Sequence, residues 1–246
     1  MLLLLALACT QIPKTPRDPQ VEGRALLQAS VEAHGGLQAF EEVGDLSMRV
    51  EDVWHAQRIA PEQPGDPLLV YNPSLGKGVA TFEESDAVWG HDSMKPWVME
   101  GGVEVPVERP LFVPTYGYFL SLPFKFLDPG VNSESLGPVD WQGQSVDQVL
   151  VWFDVGVGSA SDRYLLYLDP ETHRLLGMRF TFMDMGRMPQ LEARMTFQEV
   201  GDLWLPLELD IFLMRLVQTP MHTLRFEELV RVQDFERGKY EAPGSD

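Results

Sequence analysis

Between Val149 and Val200 the sequence carries four consecutive runs, Val149–Val155, Arg163–Asp169, Leu175–Met183 and Leu191–Val200, each strand-like in pattern and each separated from the next by turn residues. Successive runs of this kind predict an antiparallel meander. In the fourth run Leu191, Ala193, Met195 and Phe197 point one way, and Glu192, Arg194, Thr196 and Gln198 the other, as in a strand with one buried and one wet face. Asp169, Pro170, Glu171 and Thr172 form a turn between the second and third runs. Further strands at Leu205–Leu213 and Thr223–Phe235 extend the sheet. The segment from Val149 to Phe153 is apolar on both faces, as expected where one face meets a helix and the other a second apolar layer or a cavity.

The N-terminal part holds one amphipathic helix. Asp18 is a suitable N-cap and Pro19 a suitable first helical residue; Val21, Ala25, Leu26, Ala29 and Ala33 then recur at helical spacing until Gly35-Gly36 stops the helix. A short turn of helix from Leu37 to Glu42 follows. Beyond Asp45 short runs holding Val53, Val70, Val79 and Val88 are punctuated by Pro73, Gly76, Gly78, Gly90 and Gly101-Gly102, which reads as strands and turns. The stretch from Pro106 to Pro129 is rich in aromatics and prolines and has room for a short helix from Tyr116 to Phe126. The whole is a mainly β (α+β) chain: a curved antiparallel sheet forming a half-barrel around one main N-terminal helix, in a single domain over residues 18–236, with a loose polar tail at 237–246.

The one cysteine, Cys9, follows the apolar run from Met1 to Ala8, with small Ala6 and Ala8 before it. That arrangement looks like a lipobox, in which residues 1–8 are what is left of a signal peptide and Cys9 is lipidated. Residues 9–17, polar and carrying Pro13 and Pro16, then read as a flexible tether. Thr10, rather than aspartate, after the cysteine is compatible with sorting to an outer membrane. The expected location is exported and membrane-anchored in the cell envelope, facing the periplasm or the cell surface. With no second cysteine the chain can form no internal disulfide, zinc–thiolate site or iron–sulfur cluster. Nineteen Lys and Arg against 37 Asp and Glu give a net charge of -18, which repels phosphate backbones and anionic lipid surfaces alike. Nucleic acid is therefore not an expected partner, and membrane contact is expected through acylated Cys9.

Chemistry-bearing motifs are sparse. There is no Gly-x-Ser-x-Gly elbow and no phosphate loop, and the five histidines, His34, His55, His91, His173 and His222, show no metal-binding spacing. No catalytic residue, metal or cofactor is assigned, and a non-enzymatic role is expected. His34, at the end of the first helix, suits the capping of free carbonyls. Aromatic and methionine side chains on the expected strands suggest an apolar ligand surface, with Trp54, Trp152, Tyr164, Phe180, Phe182 and Met195 as candidate contacts.

Three local patterns occur in order: Ala33-His34-Gly35-Gly36, Leu122-Pro123-Phe124 followed by Asp128-Pro129-Gly130, and the stretch from Tyr164 to Thr172. Together they resemble a family of uncharacterised bacterial exported proteins of the DUF type with a helix-terminal His-Gly-Gly, over residues 21–213. That family is similar in fold to the periplasmic carriers and receptors of the lipoprotein-localisation pathway (LolA/LolB-like), whose curved sheet shelters acyl chains around helices. The resemblance implies a lipid-anchored envelope protein holding a lipid, acyl chain or other apolar ligand, with His34, Gly35 and Gly36 as motif positions. Two alternatives stay open: an envelope structural or protein-interaction lipoprotein whose concave face is filled by its own side chains, and a weak hydrolase-type enzyme using His34.

Overall fold

The structure, a computed structural model, describes residues 18–55, 64–93, 95–106, 112–155, 157, 162–181, 190–213 and 219–241. Helix α1 (Pro19–Ala33) begins where the Asp18 carboxylate accepts a hydrogen bond of 2.9 Å from the Gln20 amide. It ends in a Schellman motif: the Gly36 amide donates to the Val31 carbonyl and the Gly35 amide to the Glu32 carbonyl, each at 3.0 Å. Gly35 has φ +108°, and a Cβ there would lie 2.4 Å from the Asp202 carbonyl oxygen, so both backbone conformation and space demand glycine. A second short helix, α2 (Leu37–Glu41), follows.

The chain then runs through β1 (Asp45–Trp54), β2 (Pro67–Asn72), β3 (Lys77–Phe82), β4 (Ser85–Asp92), β5 (Lys95–Glu100) and β6 (Val103–Val105). After helix α3 (Phe112–Leu120) and a 3-10 turn (Phe124–Leu127) come β7 (Val131–Trp141), β8 (Gln144–Phe153), β9 (Arg163–Leu168), β10 (Leu175–Phe180), β11 (Leu191–Val200), β12 (Leu203–Leu213) and β13 (His222–Val232). All thirteen strands make one sheet in the order β6-β5-β4-β3-β2-β1-β13-β12-β11-β10-β9-β8-β7, curved but not closed. Two meanders, β1 to β6 and β7 to β13, are thus joined by the antiparallel pairing of β1 with β13. The connection from β6 to β7 must travel from one edge of the sheet to the other. In a curved sheet the short route lies across the concave side, and the connection takes it: Val113, Tyr116, Phe119, Leu120, Phe124 and Phe126 join Leu27 and Val31 of α1 in the main core.

The edges are managed differently. β6 is only three residues long. β7 is long, but α1 packs against it so closely that a Cβ on Gly23 would lie 2.8 Å from the Glu134 backbone, and a register shift between Ser135 and Gly137 interrupts its ladder. Inside the sheet, Pro206 of β12 sits opposite Phe197 at another register shift, the place where a missing amide donor is tolerated. There the Gln198 side-chain amide donates to the Phe226 carbonyl at 2.7 Å, bridging to β13.

Three sequence expectations are corrected. The helix expected at Tyr116–Phe126 lies at Phe112–Leu120, followed by the separate 3-10 turn. β7 was not anticipated at all. The tail expected to be loose forms a 3-10 turn at Arg237–Tyr240, because Tyr240 is only 1% exposed against Val79, Trp97 and Met99 on the outer face, and its hydroxyl donates to Asp45 at 2.8 Å. Residues 242–246 lie outside the described residues.

Candidate binding face of the half-barrel

On the concave side, sheet parity selects which side chains can meet. Tyr164 of β9 and Phe180 of β10 are paired in register, and their rings stack at 6.0 Å and 12°. Phe153 of β8 approaches Tyr164 edge-on at 5.8 Å. The crossover adds the other wall: Tyr118 lies 6.2 Å from Tyr164, Phe119 lies 6.1 Å from Phe180, and Phe126 lies 5.5 Å from Tyr164. Burial holds the phenols of Tyr118 and Tyr164 well above their usual range. The Tyr118 hydroxyl is shut away from water without a regular hydrogen bond among the described residues, although the Tyr164 hydroxyl is near enough to influence its titration. Met195 of β11 is buried in the same core.

Trp54 stands at the β1–β13 junction, where its ring stacks on His222 at 4.2 Å and 14°. His222 Nε2 lies 2.5 Å from Asp52 Oδ1, and the Tyr116 hydroxyl of α3 donates to Asp52 Oδ2 at 2.5 Å. The Asp52 side chain is 0% exposed. Burial, then the Asp52 and Asp66 carboxylates, hold the Tyr116 phenol well above its usual range. Sequence reasoning singled out neither Asp52 nor its partners as a group, because positions 52, 116 and 222 carry no spacing signal. One signal was present: Met48, Val50 and Asp52 alternate on β1, so an acid occupies a core-facing position.

The remaining candidates fall elsewhere. Trp152 alternates with Val151 and Phe153 and so projects from the outer face, opposite Arg163, away from the Tyr164–Phe180 stack. Phe182 and Cys9 lie outside the described residues. His34, Gly35 and Gly36 sit at the other end of the sheet, beside the β11–β12 turn, where the His34 carbonyl accepts from the Trp204 amide at 2.9 Å. His34 itself is 0% exposed; its Nδ1 donates to the Ser30 carbonyl at 2.8 Å and its ring packs edge-on to Phe197 at 4.6 Å. Burial, only partly opposed by the Ser30 bond, pushes its pKa down to about 4, so the imidazole is neutral. These contacts cap and pack the end of α1. Among the described residues no group of three or more His, Cys, Asp or Glu could hold a metal ion, and no helix is long and apolar enough to cross a membrane.

No protein-family model and no curated protein matches the sequence. Solved structures do match. A LolA superfamily protein from Nitrosomonas europaea superposes with a TM-score of 0.55 at 11% identity, covering 89% of this chain and 97% of its own. The chain has a LolA-like fold. A DUF1329 family protein from Desulfovibrio piger shares this LolA-like architecture with a TM-score of 0.51 at 10% identity, over 92% of this chain and 98% of its own. So does a protein domain from Vibrio parahaemolyticus provisionally named for outer membrane lipoprotein sorting, with a TM-score of 0.51 at 13% identity, over 90% and 97%. Identities this low establish a LolA-like fold and nothing about ligand or partner.

Proposed function

We propose that the chain is a lipid-anchored protein of the cell envelope, exported and held to a membrane through an acylated Cys9, whose half-barrel binds a lipid, acyl chain or other apolar molecule. The observation that carries this reading is the aromatic wall of Tyr164, Phe180 and Phe153 on the concave face, covered by Tyr118 and Phe119 of a helix that belongs to a crossover and not to the sheet. A crossover can leave the face without unpairing a strand. An apolar ligand would take its place against the same rings, with Met195 and Trp54 at the margins and Phe182 a further candidate. The name of the Vibrio parahaemolyticus domain, outer membrane lipoprotein sorting, agrees with such a role.

A second reading, a structural or protein-interaction lipoprotein, is favoured by the same rings: the chain's own side chains meet there at 5.5 to 6.2 Å. Native mass spectrometry of the full chain, purified without detergent and compared before and after organic extraction, separates the two. An extractable lipid near one per chain supports the binding reading. A bare mass that also ignores added fatty acids and phospholipids removes it and leaves the interaction reading.

A further inference from the structure

Asp52 faces the concave side from β1. Glu192, also buried, lies on the outer face between Arg179 at 3.0 Å and Arg194 at 3.4 Å. Glu51 and Glu208 share Arg225. Asp52 has a histidine and a phenol, and no Lys or Arg pairs with it among the described residues. Its row across the concave face continues Leu224, Leu209, Met195, all buried and apolar. At the strand spacing of a sheet this row runs about 14 Å from Asp52 to Met195. Behind it the Asp66 carboxylate accepts from the Asp52 amide at 3.3 Å, which adds a second negative charge near the Tyr116 hydroxyl. That row is thus an apolar strip with an acceptor at one end, and the occupant of that end now is the Tyr116 hydroxyl.

We infer that Asp52, oriented by His222, is the seat for the polar end of an amphiphile, and that this end is a hydrogen-bond donor, an ammonium or hydroxyl, in preference to a carboxylate or phosphate. The inference rests on the half-barrel reading and adds the class of head group. When α3 gives way to the ligand's apolar chain, Tyr116 leaves with it, and the freed Asp52 Oδ2 accepts from the ligand head. His222 stays on Oδ1 and Trp54 stays stacked on His222, so the acceptor keeps its direction. An anionic head placed there meets the Asp52 carboxylate, which pairs with no Lys or Arg among the described residues, and this costs affinity in a water-poor site.

The test is calorimetric titration of the full chain with dodecylamine, 1-dodecanol and dodecanoate, the two ionic probes below their micelle concentrations and the alcohol below its solubility limit. About 0.3 M salt screens the general attraction of an acidic protein for amines. Dodecylamine is expected to bind at least about tenfold more tightly than dodecanoate, the size of one charge-assisted hydrogen bond. Asp52→Asn should bring the two within about twofold. Equal binding of all three probes, or a ranking that Asp52→Asn leaves in place, overturns the inference while the half-barrel reading stands. Binding of none of them removes both. Should Asp52→Asn fail to fold, Tyr116→Phe keeps the acid and removes its competitor: dodecylamine is then expected to bind several-fold more tightly, and an unchanged affinity overturns the inference.

Discussion

Acidification should destabilise this protein before its carboxylates begin to titrate, and His34 is the reason. The imidazole is fully buried against Phe124 and Phe197, with its pKa lowered from 6.5 to about 4. In the unfolded chain it takes up a proton near pH 6.5, and in the folded chain only near pH 4. Between these values the unfolded state holds more protons, so stability falls as pH falls through this window and levels off below it. At about 1.4 kcal/mol per pH unit, the loss is about 2 kcal/mol by pH 5 and about 3 kcal/mol by pH 4. His91, buried and hydrogen-bonded to the Ser93 carbonyl, has its pKa lowered by burial as well and adds to the same slope. A variant isolates the His34 share. His34→Asn places an amide donor where Nδ1 now meets the Ser30 carbonyl, at a cost of about 1–2 kcal/mol for the space left behind. Urea unfolding followed by circular dichroism at pH 7, 6 and 5 gives the comparison. The wild type should lose stability about 2 kcal/mol faster than His34→Asn over that range, so the curves converge on acidification. Parallel curves would refute a neutral, desolvated His34.

Two further outcomes follow from packing. Gly23→Ala improves helix propensity by about 1 kcal/mol but drives a methyl group into the β7 backbone, so it should destabilise by about 1–3 kcal/mol net; a raised melting temperature would show that α1 does not lie so close. Tyr240→Ala removes the buried ring of the outer cluster and its bond to Asp45, and should cost about 3–5 kcal/mol in chemical denaturation, whereas a change within experimental error would mean that the tail is as loose as its sequence suggests.

What the sequence revealed follows from how local each signal was. α1 was legible because Asp18, Pro19 and Gly35-Gly36 act on their own neighbours. β11 was legible because each residue from Leu191 to Gln198 declares its face by alternation. β7 was missed because Gly137 and Pro138 break the pattern that marks a strand, and only an edge position makes them tolerable. α3 was misplaced because it is apolar on every side, which leaves no period to set its limits. Around the candidate site, the strands that carry Tyr164 and Phe180 were legible from their patterning. Trp152 was assigned with them because β8 is apolar on both faces, so parity could not be read. The Asp52–His222–Tyr116 group was invisible for a different reason: its members meet only when β1, β13 and α3 are assembled, and His222 is 170 residues from Asp52 along the chain.

That distance also bears on how the protein reaches its folded state. β2 can pair with β1, and each of β3 to β6 with the strand before it, as soon as they emerge, yet the other side of β1 has no neighbour until β13, the last strand, has been made and delivered. Until then a ten-residue edge carrying Leu46, Met48 and Val50 stands open. Closing a loop of this length is entropically slow, and an open edge of that kind is where chains pair with the wrong partner. The seam between β1 and β13 therefore sets both the tempo of folding and the period in which the nascent chain is exposed to aggregation.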